Sequence, residues 1–251
     1  MRICILRHNR LNNPAPGAKP GVSRATYAGH VSPADQNTPA VVLGETLFHF
    51  THTKNLASII QSGSLLSDTA AQAAGCISVE VGDRDVKTRR REMTVDVGTR
   101  GCPADYFPFY FAPRSPMLYV ISKGQVPEYQ EGQDPLVYLV TDVATVIATG
   151  RPWVYSDGNC ASVLTEYSTN LGDMGTLVDL EVMKAHMWAN TLDDGDRMRR
   201  RMAEFLVHEH LPWSCIKEIG VRNEQVSQRV RALLARLDDQ TPVRVRSGWY
   251  Y

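Results

Sequence analysis

Hydrophobic and polar positions alternate in short, regular blocks from Leu47 onwards. The block LFHF predicts a strand, because successive side chains of a strand point to opposite faces. The next block, KNLASIIQSG, places its apolar residues on one face of a helix. Thr53 is the expected N-cap of this helix, and Gly63 is the residue expected to end it. The spacing therefore predicts a strand followed directly by a short helix.

An aromatic block and a β-branched block follow in the middle of the chain. The segment DYFPFYFAPRSPMLYVIS alternates phenylalanines with tyrosines, which predicts a strand with Phe107, Phe109 and Phe111 on one face. PLVYLVTDVATVIATG is rich in Val and Thr, and it predicts a strand together with a short helix. We expect most of these aromatic rings to lie in a hydrophobic core.

The C-terminal third combines further strands with one amphipathic helix. AEFLVHEH and IKEIGV predict two strands separated by a turn around Pro212, and PVRVR predicts a last strand. At Glu204 a helical pattern fits nearly as well as a strand, so both stay open. Loops are expected over the polar segments 68–105 and 156–196. Five apolar residues of NEQVSQRVRALLARL recur at helical spacing, namely Val226, Val230, Leu233, Leu234 and Leu237. Together the blocks predict a mixed α+β domain with long inserted loops.

Residues 1–44 differ from the rest of the chain in composition and in hydrophobic pattern. They contain five of the 14 prolines and almost no helical periodicity. Five basic residues in this segment stand against one acidic residue, Asp35. The segment therefore predicts an irregular, basic N-terminal extension over residues 1–44, followed by one folded domain over residues 45–251.

The composition is that of an ordinary globular protein. The 251 residues include 27 basic and 27 acidic side chains, and 43% of the residues are hydrophobic. These values exclude collagen-like and low-complexity scaffolds and argue against a strong nonspecific binder of polyanions. No uncharged tract is long enough to span a membrane, and Arg7 interrupts the apolar stretch near the N-terminus, so we expect a cytoplasmic protein. The five cysteines form no CxxC pair, which predicts free thiols.

The charges are unevenly distributed along the chain. Basic residues cluster in RDVKTRRR, residues 84–91, and in RMRRR, residues 197–201. Phosphate is the natural partner of two such clusters, although a solvated surface is the ordinary alternative for each. We therefore expect local contacts with a nucleotide or a short nucleic acid, with weak and salt-sensitive affinity for DNA.

The strand LFHFTH carries one polar face. His49 and Thr51 point to one side of it and its phenylalanines to the other. An imidazole and a hydroxyl at a strand end can bind ribose hydroxyls, although satisfied polar residues at a strand edge are the ordinary alternative. We reject a zinc site, because the pairs His49 with His52 and His208 with His210 come with no convincing third ligand.

Six motifs occur in a fixed order along the chain: FHFTHTKNLASIIQSGSLLSD, VKTRRR, DYFPFYFAPRSPMLYVI, YSDGN, MAEFLVHEHLPW and IGV. In this order they resemble the DarT family of DNA ADP-ribosyltransferase toxins, over roughly four-fifths of the chain. The resemblance implies an α+β fold of the ADP-ribosyltransferase type, with a split β-sheet core, surrounding helices and long loops around an NAD cleft. It also implies transfer of ADP-ribose from NAD to a base, usually thymine, in single-stranded DNA, with release of nicotinamide and no metal. A DarG-like antitoxin, whose macrodomain removes the mark, is the implied protein partner.

The resemblance further implies roles for single residues. Glu204 resembles the catalytic glutamate, and Arg89 resembles the functional arginine, with Arg90 as the one-residue alternative. Segment 156–203 is similar in placement to the substrate-reading loop of the family. The residues expected to contact NAD are His49, Phe50, Thr51, Ser58, Leu66 and Arg89. The residues expected to contact DNA are Arg90, Arg91, Tyr110 and Arg114.

These residue types suit the implied reaction. Cleavage of the bond between nicotinamide and ribose develops oxocarbenium character on the ribose, which the carboxylate of Glu204 can orient and stabilise. An arginine is normally too basic to accept a proton, so we assign Arg89 first to the NAD phosphates and to a thymine carbonyl. A direct proton-transfer role stays open. Two other hypotheses also stay open: an RNA or protein acceptor, and a catalytically inactive module that binds nucleic acid.

Overall fold

Ten strands organise residues 40–251, the part of the chain that the computed structural model describes. Most of the extension predicted for residues 1–44 lies outside the described residues. The strands are β1 (Thr46–His52), β2 (Ser64–Leu66), β3 (Tyr106–Tyr110), β4 (Leu136–Asp142), β5 (Trp153–Ser156), β6 (Tyr167–Ser168), β7 (Glu204–His208), β8 (His210–Pro212), β9 (Glu218–Val221) and β10 (Val243–Val245). Eight of them form one sheet in the order β10-β9-β4-β1-β3-β7-β5-β6, antiparallel except for the pair of β9 with β10. The remaining two, β2 and β8, pair in a small second sheet.

Short helices lie in most connections between the strands. They are α1 (Ala40–Leu43), α2 (Leu56–Ser62), α3 (Asp68–Ala74), α4 (Arg84–Glu92), α5 (Pro116–Ser122), α6 (Val143–Ala148), α7 (Met174–Leu177), α8 (Leu180–Lys184), α9 (Arg197–Arg200) and α10 (Glu224–Arg236). Five 3-10 turns add Thr53–Asn55, Pro103–Asp105, Leu171–Asp173, Trp213–Cys215 and Ser247–Trp249. Across residues 40–251, no helix is long and apolar enough to cross a membrane.

The large sheet opens between β1 and β3. These strands pair only at Phe48 and Tyr110, whereas β1 pairs with β4 along its whole length and β3 does the same with β7. Pro108, in the middle of β3, has no backbone N–H for a ladder hydrogen bond. The split of the sheet core that the resemblance implied is therefore located here, and side chains from both strands line the gap.

The two faces of the sheet pack into separate hydrophobic clusters. Phe107 and Phe109 lie in the larger cluster, whereas Phe50 of β1 packs in the cluster on the other face. Tyr106 and Tyr110 point away from the phenylalanines of their own strand. The predicted separation of phenylalanines and tyrosines on β3 is confirmed. Each phenylalanine buried in this way stabilises the fold by about 1.5–3 kcal/mol.

Several predicted elements are confirmed. The β-branched block forms β4 and α6, and the C-terminal blocks form β9, α10 and β10. Glu204 is the first residue of β7, so the strand and not the helix is present at this position. Gly63 ends α2 in a left-handed conformation, as its position predicted.

The loop predicted over residues 68–105 was wrong in part, because α3 and α4 lie within it. Each helix begins at a polar cap: Ser67 accepts a hydrogen bond from the backbone N–H of Ala70, and Asp83 accepts one from that of Val86. The helix α4 buries none of its residues. It therefore lacks the apolar face on which helix prediction rests, and only its cap marks it in the sequence.

The start of the first predicted helix also differs. A 3-10 turn precedes α2, and the side chain of His52, not of Thr53, accepts the capping hydrogen bond from the backbone N–H of Lys54. The imidazole of His52 is buried at the end of β1 and reaches this N–H from there. The cap therefore comes from the last residue of the strand.

Candidate active site

A cleft of about 460 Å³ opens where β1 and β3 separate. Its walls come from these two strands, from α2, α4 and α5, and from the start of β7. Eight residues predicted from the sequence line it: His49, Phe50, Thr51, Ser58, Leu66, Arg90, Tyr110 and Glu204. Three predicted residues do not line it: Arg89, Arg91 and Arg114.

Glu204 forms a buried ion pair at this site. Its side chain is 1% exposed, and its Oε1 accepts a hydrogen bond from Nη1 of Arg90 at 2.7 Å. Its second oxygen, Oε2, is buried and has no hydrogen-bond partner among the described residues. An unpaired buried acceptor is costly, so this oxygen is poised to accept a hydrogen bond from a ligand in the cleft.

The YSDGN motif holds the backbone of Glu204. The hydroxyl of Ser156, at the end of β5, accepts a hydrogen bond from the backbone N–H of Glu204 at 3.0 Å and lies 2.8 Å from the carbonyl oxygen of Gly158, to which it donates. Ser156 is fully buried. This positioning role was not predicted from the sequence, although the motif containing Ser156 was among those that carry the resemblance.

Tyr110 lies opposite Glu204 in the pairing of β3 with β7. Burial raises the pKa of the Tyr110 phenol, and the negative charge of Glu204 raises it further. The phenol is therefore neutral at physiological pH. Tyr110 thus adds a neutral aromatic wall next to a charged pair.

Arg90 and Arg89 point to different sides of α4. Successive residues of a helix are about 100° apart around its axis, so a shift of one position decides which arginine enters the cleft. Arg90 faces Glu204, whereas Arg89 is exposed to solvent. Burial acts to lower the pKa of Arg90, but the neighbouring carboxylate of Glu204 outweighs it and raises the pKa above the ordinary value. Arg90 is therefore a permanent cation in this pairing.

His49 is a neutral imidazole. Its Nδ1 lies 2.9 Å from the carbonyl oxygen of Pro108, which can only accept, so Nδ1 carries the proton and Nε2 is left as an acceptor. Burial lowers the pKa of His49 to about 4; the hydrogen bond to Pro108 opposes this shift, and the charges of Lys87 and Arg90 add to it. The side chain thus bridges the gap between β1 and β3 while offering one acceptor.

Asn55 organises the wall formed by Thr51 and the segment at residues 76–79. Its Nδ2 donates to Oγ1 of Thr51 at 3.2 Å and to the carbonyl of Val79 at 2.9 Å, and its Oδ1 accepts from the backbone N–H of Val79 at 2.9 Å. The hydroxyl of Ser58 lies within hydrogen-bond distance of the carbonyls of Asn55 and Cys76. Asn55 is a buried amide that joins the start of α2 to this segment, and its role was not predicted from the sequence.

A second cation, Lys87 of α4, also lines the cleft. It pairs with Asp68 at 2.6 Å and with Glu80. Arg91, one turn further along α4, also pairs with Asp68 and is mostly turned to solvent. Lys87 and Arg90 therefore bring two positive charges to one wall, and the sequence had marked their cluster as a phosphate site.

Two arginines of the second cluster, residues 197–201, pair with carboxylates of the protein. Arg199 pairs with Asp157 at 2.9 Å and with Asp196 at 2.8 Å. Arg200 pairs with Asp179 at 2.5 Å and with a further aspartate. The prediction of phosphate as the partner of this cluster is not supported by these contacts, because the carboxylates of segment 156–203 already neutralise it.

Two further arginines, Arg201 and Arg114, lie outside the wall of the cleft. Arg201 is 5% exposed and donates to the backbone carbonyls of Val182 at 2.7 Å and Pro113 at 2.8 Å. Arg114 adopts a left-handed backbone conformation with φ of 55°. Its guanidinium carbon lies 4.5 Å from the ring centroid of Tyr251. Arg114 thus lies next to the cleft and not in its wall.

Residues 40–251 hold no group of three His, Cys, Asp or Glu side chains that could bind a metal ion. The charged groups of the cleft are the Arg90–Glu204 pair and the side chains of Lys87, Asp68, Glu80 and Asp83. What the cleft offers chemically is one buried carboxylate oxygen, a neutral imidazole and two cations.

The sequence matches one family along most of its length. The family described as "ssDNA thymidine ADP-ribosyltransferase, DarT" matches residues 48–251. A "DNA ADP-ribosyl transferase" of Mycobacterium tuberculosis is 37% identical over 208 residues, which cover 82% of this chain and 88% of the relative. One of Thermus aquaticus is 35% identical over 207 residues, covering 82% and 88%.

Solved structures show the same similarity. The DarT of Thermus sp. 2.9 in complex with ADP-ribosylated ssDNA superposes with a TM-score of 0.77 at 32% identity, covering 82% of this chain and 96% of that one. The same Thermus protein in complex with NAD+ gives a TM-score of 0.72 at 31% identity, covering 82% and 98%. The fold described above is therefore similar to that of a chain solved in complex with NAD+ and with ADP-ribosylated ssDNA.

Proposed function

Because this chain belongs to the DarT family and is thus an NAD-dependent DNA ADP-ribosyltransferase, we propose that it modifies thymine and that Glu204 and Arg90 carry the reaction. The observation that supports the residue assignment best is the buried pair at the cleft. Glu204 is 1% exposed, forms an ion pair with Arg90 at 2.7 Å, and keeps one oxygen without a hydrogen-bond partner among residues 40–251. A buried carboxylate with a free oxygen suits a site where positive charge develops.

Glu204 orients the reacting ribose in this proposal. Its free Oε2 accepts a hydrogen bond from a ribose hydroxyl, and its negative charge stabilises the oxocarbenium character at C1′. The bond from C1′ to nicotinamide breaks with both electrons leaving on nicotinamide, which departs as a neutral pyridine. The imide nitrogen of thymine then bonds to C1′, and its proton is released to solvent water. The hydrogen bond from Arg90 holds the other oxygen, Oε1, in place for this role.

Arg90 takes the role that the sequence had assigned first to Arg89. Arg90 lines the cleft and contacts Glu204, whereas Arg89 is exposed on the other side of α4. A guanidinium next to Glu204 can polarise a carbonyl of the acceptor base as the imide proton leaves. Its raised pKa makes it a poor proton acceptor while it is paired with Glu204.

The NAD site is proposed to lie along β1 and α2. His49 offers the acceptor Nε2, and Thr51 keeps its hydroxyl proton, because its oxygen already accepts from Asn55. Lys87 and Arg90 supply positive charge near the diphosphate. Phe50, Ser58 and Leu66 complete this wall.

The family membership also supports a toxin role. We propose that the modification blocks use of the DNA template and that a DarG-like macrodomain antitoxin reverses it. Induced expression in bacteria is expected to stop growth, and co-expression of an ADP-ribose-removing macrodomain is expected to restore it. Growth arrest that the macrodomain fails to relieve contradicts the pairing.

The direct test of the acceptor uses single-stranded oligonucleotides of matched length, with and without thymine. Incubation with NAD is expected to add one ADP-ribose mass only to the thymine-containing strands, with one nicotinamide released for each product. A mass gain on strands without thymine overturns the choice of base. Labelled NAD in a cell lysate tests the RNA and protein alternatives, because protease or ribonuclease then removes the label and deoxyribonuclease does not.

A further inference from the structure

A cluster of aromatic and cationic side chains lies beside the cleft. The ring centroid of Tyr119 lies 5.8 Å from that of Trp188 and 5.1 Å from that of Tyr251, both edge to face. The guanidinium carbon of Arg114 lies 4.5 Å from the ring centroid of Tyr251, and Nζ of Lys123 lies 5.2 Å from that of Tyr119. These five residues are called the aromatic platform below.

Hydrogen bonds hold two rings of the platform in place, those of Trp188 and Tyr251. Nε1 of Trp188 donates to the hydroxyl of Tyr251 at 2.8 Å, and this hydroxyl donates to the carbonyl of Arg114 at 2.7 Å. Tyr119 nevertheless remains 38% exposed. Its ring packs edge to face against Trp188 and Tyr251, whose hydrogen bonds have already cost them rotational freedom, so a ligand that stacks on Tyr119 meets neighbours that are already ordered. The cluster is therefore preorganised for binding.

The helix α5 joins the platform to the cleft. Pro116, Met117 and Val120 of this helix line the cleft. Tyr119 lies on the neighbouring face of this helix, and Lys123 is the residue that caps its C-terminal end. A polymer that leaves the cleft over α5 meets the platform after about 10 Å, the diameter of a helix.

No carboxylate among residues 40–251 pairs with the positive charges of the platform. In the part of the chain that the structure describes, neither Arg114 nor Lys123 has a carboxylate within 4.0 Å. Nε of Arg114 is buried without a partner there, and its Nη1 contacts Nε2 of His186 at 3.1 Å. Arg199 and Arg200 are, in contrast, paired with aspartates. Free cations next to exposed rings are the combination that binds single-stranded nucleic acid.

We propose that the aromatic platform binds the nucleotide next to the acceptor base, with that base stacked on Tyr119 and its phosphate near Arg114 and Lys123. This inference rests on the proposed function, because it concerns the same single strand as it leaves the cleft. Stacking on an aromatic ring tolerates any base, since every base has a π-face. The platform therefore contributes affinity for the flanking strand, and it leaves the choice of base to the cleft.

The test compares DNA affinity after the removal of single bases from the oligonucleotide and of the Tyr119 ring from the protein. A labelled oligonucleotide with one thymine is compared with versions that carry an abasic site at single flanking positions. Its dissociation constant is measured by fluorescence anisotropy with the wild type and with Tyr119→Ser. We expect one flanking abasic site to weaken binding to the wild type by about 5- to 150-fold, the range of one stacked base. The same abasic site is expected to change binding to Tyr119→Ser by less than about twofold, because the ring is already absent.

Two further variants separate stacking from other effects. Tyr119→Phe keeps the ring and is expected to keep the wild-type penalty. Val245→Ser removes an exposed apolar side chain on β10, at the far edge of the sheet, and is also expected to keep the penalty. The proposal is overturned if an abasic site weakens binding equally in the wild type and in Tyr119→Ser. It is also overturned if no flanking abasic site weakens binding to the wild type. The same samples with NAD report ADP-ribosylated product separately, so a failure of the proposed reaction is distinguished from a failure of the platform.

Discussion

Two identical runs of three arginines occur in this chain, residues 89–91 on α4 and residues 199–201 around the end of α9. In the first run the three side chains separate: Arg89 faces solvent, Arg90 enters the cleft and Arg91 pairs at the surface with Asp68. In the second run all three are bound by the segment that contains them.

The difference comes from the acceptors that surround each run. Segment 156–203 carries aspartates close to its arginines, and Arg199 alone contacts Asp157 and Asp196. Around α4 the buried carboxylate is Glu204, which lies 114 residues away in sequence and approaches only Arg90. In the first run one arginine, Arg90, thus lines the cleft, whereas in the second run the arginines hold a loop together through carboxylates and carbonyls close by.

The largest effect on activity is expected from replacing Glu204, the ion-pair partner of Arg90 in the first run. Glu204→Gln keeps an oxygen that can accept from Arg90 but removes the negative charge that stabilises the transition state. ADP-ribose transfer is expected to fall by about 10³-fold or more, while NAD still binds. Mass spectrometry of the oligonucleotide product and calorimetric titration of NAD measure the two quantities. More than a tenth of the wild-type activity in this variant contradicts the role given to Glu204.

The next largest effect is a loss of stability, expected when Arg201 of the second run is replaced. Arg201→Met leaves the buried carbonyls of Val182 and Pro113 without their donor. We expect the free energy of unfolding to fall by about 3–5 kcal/mol, which lowers Tm by roughly 6–20 °C. Arg89→Met is the matched control, since its exposed side chain is expected to change stability by less than about 0.5 kcal/mol. Equal melting temperatures for the two variants contradict the division of roles.

A smaller effect is expected from pH, through His49. Burial lowers its pKa to about 4 in the folded protein, against about 6.5 in the unfolded chain. Between these values the unfolded chain binds a proton and the folded protein does not, so the free energy of unfolding falls as the pH drops from 6.5 to 4. The loss is expected to reach about 3 kcal/mol. Urea unfolding at the two pH values measures it.

The control for this pH effect is the variant His49→Asn, which keeps a donor near the position of Nδ1 and has no proton to gain. Its loss of stability over the same pH range is expected to be smaller than that of the wild type. His186→Asn alters an exposed histidine in segment 156–203 and is expected to lose as much as the wild type. Identical losses in His49→Asn and the wild type contradict the burial of a neutral imidazole.

Much of the cleft could be predicted from the sequence, because strand alternation and local motifs mark its residues. The polar face of β1 and the start of β7 were found from pattern and resemblance, and His49, Thr51 and Glu204 line the cleft. The helix α4 escaped prediction as a helix because it buries no residue and has no apolar face. Without the helix, the choice between Arg89 and Arg90 could not be made, since it depends on rotation about the helix axis.

Contacts between distant segments could not be predicted either. Ser156 supports the backbone of Glu204 across 48 residues, and Asn55 binds the segment near Val79 across 24. Each is a polar residue of an ordinary type whose burial is set only by the folded sheet and its loops. The pairing of Arg201 with backbone carbonyls belongs to the same class, because main-chain acceptors leave no pattern in the side-chain sequence.

The comparison of Arg89→Gln with Arg90→Gln decides which arginine of α4 serves the reaction. Both variants remove one guanidinium from adjacent positions of α4, and the rate of ADP-ribosylated thymine oligonucleotide formation is measured at saturating NAD. We predict that Arg90→Gln loses about 10²-fold or more of this rate and that Arg89→Gln stays within about twofold of the wild type. Loss of activity in Arg89→Gln with retention in Arg90→Gln would contradict the account.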